Sequence, residues 1–442
     1  MNIGLSDHFT YSKLLRFTLP SIVMMIFTSI YGVVDGFFVS NFAEDGAFAA
    51  VNFIMPFLMI LGTVGFVFGT GGSALVANIF GEGDKKKANS LFSLFIYFSF
   101  AIGVVIAVIG FISVRPIASL LGADGQLLED CVTYGRIIIL AIPAFILQME
   151  FQSFFVTAEK PNLGLVSTIA SGVANMILDL LLVAVIPLGI RGAAWATAIS
   201  QIIGALIPMI YFSLPNNSLL RLSKTYFDGK AIVKACVNGS SEFMSNIAMS
   251  VVGMLYNVQL LRYAEENGVS AYGVLMYVSM IFNGAFIGYS VGIAPVIGYH
   301  NGAKNHDELH GLLKKSLILI GICSVCMVGA SEVLAYPLSN LFVGSDPELF
   351  DMTLNAFRIY SFSFLFMGVA IFASGFFTAL NDGVTSAVIS FLRTCVFQIA
   401  AVLLLPLIWE LDGIWYSIIV AEVMAAALSG IFIIVKKKKY NY

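Results

Sequence analysis

Six carboxylates fall inside long apolar stretches of this chain: Asp35, Glu150, Asp179, Glu242, Glu332 and Glu422. An ionisable group at mid-bilayer costs on the order of 2.5–3.5 kcal/mol on insertion scales, so by default it marks function. Asp179 has companions. Asn175 precedes it by four residues and shares its helix face. Thr197, in the next stretch, brings a hydroxyl to the same place if the two stretches pack antiparallel, and Asp35 would arrive from the first stretch. Carboxylate, amide and hydroxyl oxygens without sulfur or imidazole suit a hard cation such as Na⁺, or a proton. The alternative is a hydrogen-bonded polar cluster that ties helices together. Glu150 is structural or functional, with Gln148 or Gln152 as its expected polar partner. Glu242, Glu150 and Glu422 form a secondary set for coupling or cargo. Glu332, near the outer end of its stretch, can simply reach water.

Other motifs carry less. Cys323 and Cys326 lie in an apolar stretch without a second pair, which reads as small apolar filler. His306 and His310 have metal-ligand spacing but no further ligands nearby. No metal is expected beyond Na⁺ at the Asp35, Asn175, Asp179 and Thr197 set, and no cofactor. Gly69-Thr70-Gly71-Gly72-Ser73 lacks the strand, helix and Lys of a phosphate loop and is read as close helix contacts or a bend. Asn216-Asn217-Ser218 and Asn238-Gly239-Ser240 match glycosylation acceptors but fall on the inner side. No acid/base, nucleophile or metal set supports an enzyme, and nothing points to nucleic acid.

The elements that position these groups are membrane helices. The chain has 442 residues, 59% hydrophobic and only 11% charged, against about 25% charged in soluble domains. No cleavable signal peptide is expected, since the first 13 residues are polar. Twelve stretches reach the roughly 20 residues a bilayer crossing needs: 14–40, 47–80, 90–114, 131–157, 162–186, 190–212, 232–262, 270–300, 311–335, 353–379, 384–408 and 412–435. Several are long enough to tilt or bend, and prolines at 20, 56, 143, 208, 295 and 406 offer bend points. Seventeen of the 23 Lys and Arg fall on one side of this topology, including Lys85–Lys87 and Lys436–Lys439. That side is the cytoplasmic one, both termini are inside, and the Lys tail reads as an anchor on anionic lipid. The outer loops are acidic, as at Glu44-Asp45 and Glu265-Glu266.

The chain also repeats itself. Gly71 and Gly292 stand 221 residues apart, as do Gly81 and Gly302, and the register holds elsewhere. The expected organisation is a first lobe at 1–212, a cytoplasmic linker at 213–231 and a second lobe at 232–442 with its basic tail. Six spans per repeat makes the halves parallel, related by an axis along the membrane normal. Two such halves place a ligand site between them and can expose it to either side by rocking.

Three segments resemble the MATE (multidrug and toxic compound extrusion) transporters: YGVVDGFFVS at 31–40, GGSALVANIFGEGDKKKAN at 71–89 and NMILDLLLVAVIPLGIRGAAWATAISQ at 175–201. The resemblance runs in order through both halves. It implies an all-α membrane fold of twelve helices, in two six-helix lobes forming a V around a central cavity. It also implies export of amphipathic, often cationic compounds driven by inward Na⁺ or H⁺, from a bacterial plasma membrane, by a protein working as a monomer. Carried over, Asp35, Asn175, Asp179 and Thr197 match the family's first-lobe cation site, and Glu242 matches a carboxylate of the NorM-like branch. That branch also uses an acid in span 10, whereas 361–380 here offers only apolar and hydroxyl residues. The DinF-like arrangement, with coupling in the first lobe, is therefore favoured. A second departure is Ala158-Glu159-Lys160-Pro161, where many members carry an Arg-x-x-Gly-Asp-Pro type turn. The runner-up is a flippase of related fold for lipid-linked oligosaccharide or lipid, which would show a cationic cavity.

Overall fold

The computed structural model describes residues 3–43, 46–344 and 346–442. The expected acidic pair Glu44-Asp45 lies outside the described residues. Every regular element among them is helical, as bilayer-embedded backbone requires. The first half holds α1 (Tyr11–Phe42), α2 (Ala47–Gly81), α3 (Lys85–Leu120), α4 (Gly125–Thr157), α5 (Pro161–Val185) and α6 (Gly189–Ser213). A short helix, α7 (Gly229–Asn238), follows an irregular segment. The run Ser240–Gly302 contains non-helical backbone at Ala264 and Glu265, so it holds two spans, α8 (240–263) and α9 (266–302). Then come α10 (His306–Val343), α11 (Pro347–Ser361 with Phe364–Ala379), α12 (Gly383–Leu404) and α13 (Pro406–Tyr440), the last with non-helical backbone at Trp409 and Glu410, after which its span begins. With α7 set aside and the 240–302 run counted as two, twelve helical spans stand among the described residues, the number expected.

Boundaries and bends differ from expectation. The seventh span begins at Ser240 rather than near 232, because the chain breaks at Gly239. Prolines sit inside α1, α2, α3, α4, α6, α9 and α10. Yet the sharp bend, 49° in α11, falls at Phe362-Ser363, which has no proline. Three spans instead contain wide π-turns, at Phe68–Gly72, Leu180–Val185 and Leu392–Phe397. The first of these is the glycine run of the sequence, so that run does serve a bend and close contacts. A Cβ on Gly71 would meet the Ala235 carbonyl at 2.2 Å.

At the Lys-rich face the halves exchange their leading segments. Leu5, Phe9, Leu14 and Phe17 are buried in a core built mainly from α9, α10, α11 and α12 of the second half. Ala231, Ile232 and Ala235 of α7 are buried among α2, α3, α4 and α6 of the first half. The segments before them follow suit. The N-terminal segment is strapped to the second half by the Phe9 N–H donating to Glu308 Oε1 (2.9 Å) and by His8 Nδ1 against Glu308 Oε2 (2.6 Å). The linker is strapped to α3 of the first half: the Arg221 N–H donates to Asn89 Oδ1 (2.7 Å), the Ser223 N–H to Ser93 Oγ (2.8 Å) and the Thr225 hydroxyl to the Ser90 carbonyl (2.7 Å). Between these crossings α2 and α9 touch backbone to backbone. A Cβ on Gly81 would lie 1.9 Å from the Tyr299 carbonyl, and one on Gly302 would lie 1.9 Å from that of Asn78. Only glycine permits that approach at either position.

Candidate functional site

Three spans bring the four principal residues together. Asp35 lies in the C-terminal half of α1, Asn175 and Asp179 in α5, and Thr197 in α6. α1 reaches α5 closely because Gly172 faces Phe27 and Tyr31, where a Cβ would come within 2.5 Å of the Phe27 ring. Asp179 is the last residue before the π-turn Leu180–Val185, a widening that re-aims side chains and recurs at functional sites. The Thr197 hydroxyl donates to Asp35 Oδ1 at 3.5 Å, and Asp179 and Asn175 flank the same carboxyl. Asp179 is 0% exposed and Asn175 1%, and neither carboxylate oxygen of Asp179 nor either amide atom of Asn175 has a hydrogen-bond partner. No Lys or Arg pairs with Asp35 or Asp179 among the described residues.

This arrangement is chemically incomplete by itself. Buried polar groups are ordinarily satisfied, and orphaned ones call for an explanation. Two carboxylates in one apolar site repel, and a proton or metal cation between them removes that repulsion. The donor set is carboxylate, amide and hydroxyl oxygen throughout, which fits a hard monovalent cation or a proton.

Two site residues escape a reading of carboxylates. Tyr134 of α4, 1% exposed, lies beside Asp35, Asp179 and Thr197. Tyr31 stands one helical turn before Asp35 and adjoins it. Their signal in the sequence is only a phenol within an apolar span, and most phenols there serve packing.

The remaining carboxylates go elsewhere. Glu150 in α4 is fully buried, and both its oxygens lack partners. The expected pairing with Gln148 or Gln152 does not form. Residues two apart on a helix point to different sides, so Gln148 donates to Ser171 (3.2 Å) and Gln152 to Thr168 (3.5 Å), both on α5, while Glu150 faces Ser99 of α3. Glu242 lies in the first turn of α8, half-buried, and bonds to none of the four principal residues. Glu332 accepts from the Ser361 hydroxyl (2.6 Å) at the bend of α11. Glu422 in α13 is 0% exposed and held by Arg393 of α12. Nε lies 3.0 and 2.9 Å from its two oxygens, and one Nη lies 2.9 Å from the first. Removing one partner of such a buried pair costs about 3–5 kcal/mol.

Comparison with known proteins agrees with the repeat. The family model MatE matches the chain twice, at residues 20–181 and 243–404. The multidrug export protein MepA of Staphylococcus haemolyticus is 27% identical over 421 residues, covering 95% of this chain and 92% of that one. A solved MATE in complex with MaL6 superposes with a TM-score of 0.93 at 18% identity, covering 98% of each chain. An outward-facing multidrug resistance MATE transporter of the MOP superfamily also reaches 0.93 at 18% identity, covering 98% of this chain and 97% of that one.

Proposed function

Because the chain belongs to the MatE family of membrane transporters, we propose that it exports amphipathic, often cationic organic compounds in exchange for inward Na⁺ or H⁺, with the ion taken at Asp35, Asn175, Asp179 and Thr197. The observation that carries this reading is the pairing of half-buried Asp35 with fully buried Asp179, flanked by the orphaned amide atoms of Asn175 and without a protein cation. The family is one of multidrug efflux, and the MepA relatives carry that role. The Lys-rich face is cytoplasmic on the positive-inside rule, in a bacterial plasma membrane, with both termini inside.

The mechanism follows from differential affinity. An ion biases a conformational equilibrium only by the difference in how tightly it binds the two states. A cation entering from outside bridges or neutralises Asp35 and Asp179, changes the packing of α1 against α5 and α6, and loosens the hold on cargo. Cargo leaves, the halves rock, and the ion is released inside. The emptied carboxylates then favour uptake of a cationic compound. First-half coupling without a span-10 acid is the DinF-like arrangement. The oligosaccharide flippase loses support, because Arg393, the arginine of α12, is neutralised by Glu422 rather than free.

Ethidium efflux from proteoliposomes under an imposed pH or Na⁺ gradient tests the reading. Export under one gradient is expected, and Asp35→Asn and Asp179→Asn should each reduce it to the protein-free background with normal folded yield. Wild-type export rates in both variants would overturn the assignment of the site.

A further inference from the structure

The second half contains the counterpart of this site, built differently. In the first half the cluster is assembled from α1 (Asp35), α4 (Tyr134), α5 (Asn175, Asp179) and α6 (Thr197). The corresponding helices of the second half are α8, α11, α12 and α13. They too converge on a buried polar cluster: Tyr256 on α8, Tyr360 on α11, Arg393 on α12, and Ser417 and Glu422 on α13. Tyr256 stands 221 residues after Asp35, so a phenol occupies the repeated position of the carboxylate. Its hydroxyl bonds the Ser417 hydroxyl at 2.6 Å. Tyr360, bonded to Ser279 at 2.8 Å, adjoins both Glu422 and Arg393. Glu422 is the carboxylate of this cluster, and the bidentate guanidinium of Arg393 already satisfies it.

The two clusters therefore differ in charge. The first has two carboxylates and no protein cation. The second has one carboxylate and one cation covalently attached to the chain. A guanidinium stays protonated at any pH the protein meets and cannot leave. We propose that Arg393 is a built-in counter-ion, filling in the second-half cluster the role that an external cation fills in the first, so that this cluster does not respond to the ion gradient. This rests on the first-half coupling proposed above and leaves one exchangeable cation site between the two equivalent clusters.

Removing the tethered cation should turn Glu422 into an exchangeable site. The measurement is the melting temperature of the purified full-length protein against Na⁺ concentration and against pH, since a cation that binds only the folded state raises it. Asp35→Asn should abolish the Na⁺ response of the wild type at fixed pH and leave only the pH response of groups outside the cluster, Asp382 among them; a Na⁺ response that persists there counts against the first-half site and leaves the second-half comparison standing. In the Asp35→Asn background, adding Arg393→Met should create a new response, a rise of at least about 2 °C between low and saturating cation. Adding Glu422→Gln as well should flatten it, and Arg393→Lys should never show it. A folded Arg393→Met protein whose melting responds no differently from its parent would overturn the proposal and leave the pair a staple between α12 and α13. If Arg393→Met cannot be folded at any Na⁺ concentration or pH tried while the protein carrying both Arg393→Met and Glu422→Gln folds, an external cation does not replace Arg393, and the proposal also fails.

Discussion

At the scale of single residues, burial and charge make separate demands, and the Lys-rich face shows both met outside the membrane. Burial alone would raise the carboxyl of Asp382, in the turn between α11 and α12, but the Tyr440 hydroxyl (2.8 Å), the Lys436 ammonium (3.1 Å) and Thr385 more than offset it and bring it to about 2. A depressed carboxyl contributes stability that is fully present above the ordinary value, about 4, and is lost as pH falls through the folded-state value. Asp382→Asn should therefore melt below the wild type at pH 7, and the gap should close as pH falls from about 4 towards 2. Thermal unfolding of both proteins across that range checks it. The same contact changes the reading of the basic tail, since Lys436 and Lys439 both reach Asp382 and are partly committed to protein rather than lipid. The residues of the first-half cluster were legible because a carboxylate within an apolar span is costly and therefore conspicuous. Tyr134 was not, because a phenol costs little in an apolar span. Nor was the Arg393–Glu422 pair, because its two members lie 29 residues apart and only the packing of α12 on α13 joins them.

At the scale of elements, helix length and number followed from apolar runs, whereas their breaks did not. Hydropathy registers how far a helix extends, but it is blind to a backbone that widens by one residue. The π-turns at 180–185 and 392–397 therefore left no mark, although each adjoins or contains a charged residue of its cluster. Prolines were a poor guide to the bends for a related reason: a neighbouring helix can re-satisfy the group that a proline frees. The break at Gly239 is instead organised by Asn238. Its amide donates to the carbonyls of Gly71 (3.3 Å) and Thr378 (2.9 Å) and to Asn381 Oδ1 (3.3 Å), tying α7 to α2 and α11. Asn238 is 2% exposed, so water cannot replace these bonds. Asn238→Ala should cost about 1–3 kcal/mol by leaving buried acceptors unmet. A lower melting temperature with cation dependence unchanged would be the result, and no change in melting would contradict the role given to the amide.

At the scale of the whole molecule, the repeat was visible as a 221-residue period, but the exchange of leading segments was not, because sequence similarity registers which residues correspond and not which half they pack in. Assigning Leu5, Phe9, Leu14 and Phe17 to the first lobe by order in the chain thus misses where their side chains are buried. The glycine contact at the Lys-rich face offers a test of the rocking motion. Gly81→Ala sets a methyl 1.9 Å from the Tyr299 carbonyl, and strain of this kind costs about 1–3 kcal/mol. Opening that face relieves it. Spin labels on the exposed residues Lys87 and His310 should report a longer-distance population in the variant, and an unchanged distance distribution would show that the contact does not gate the face. The exchanged segments have a wider consequence. Leu5 to Phe17 complete one core and Ala231 to Ala235 the other, while residue 299, which meets Gly81, is the repeat of residue 78, which meets Gly302. The two halves are related as the subunits of a domain-swapped, self-complementary dimer, in which a surface meets its own copy across a two-fold axis. Unlike in such a dimer, the two facing copies are encoded separately within one chain, so Gly81 and Gly302 can drift independently and a substitution at one leaves the other contact as it was.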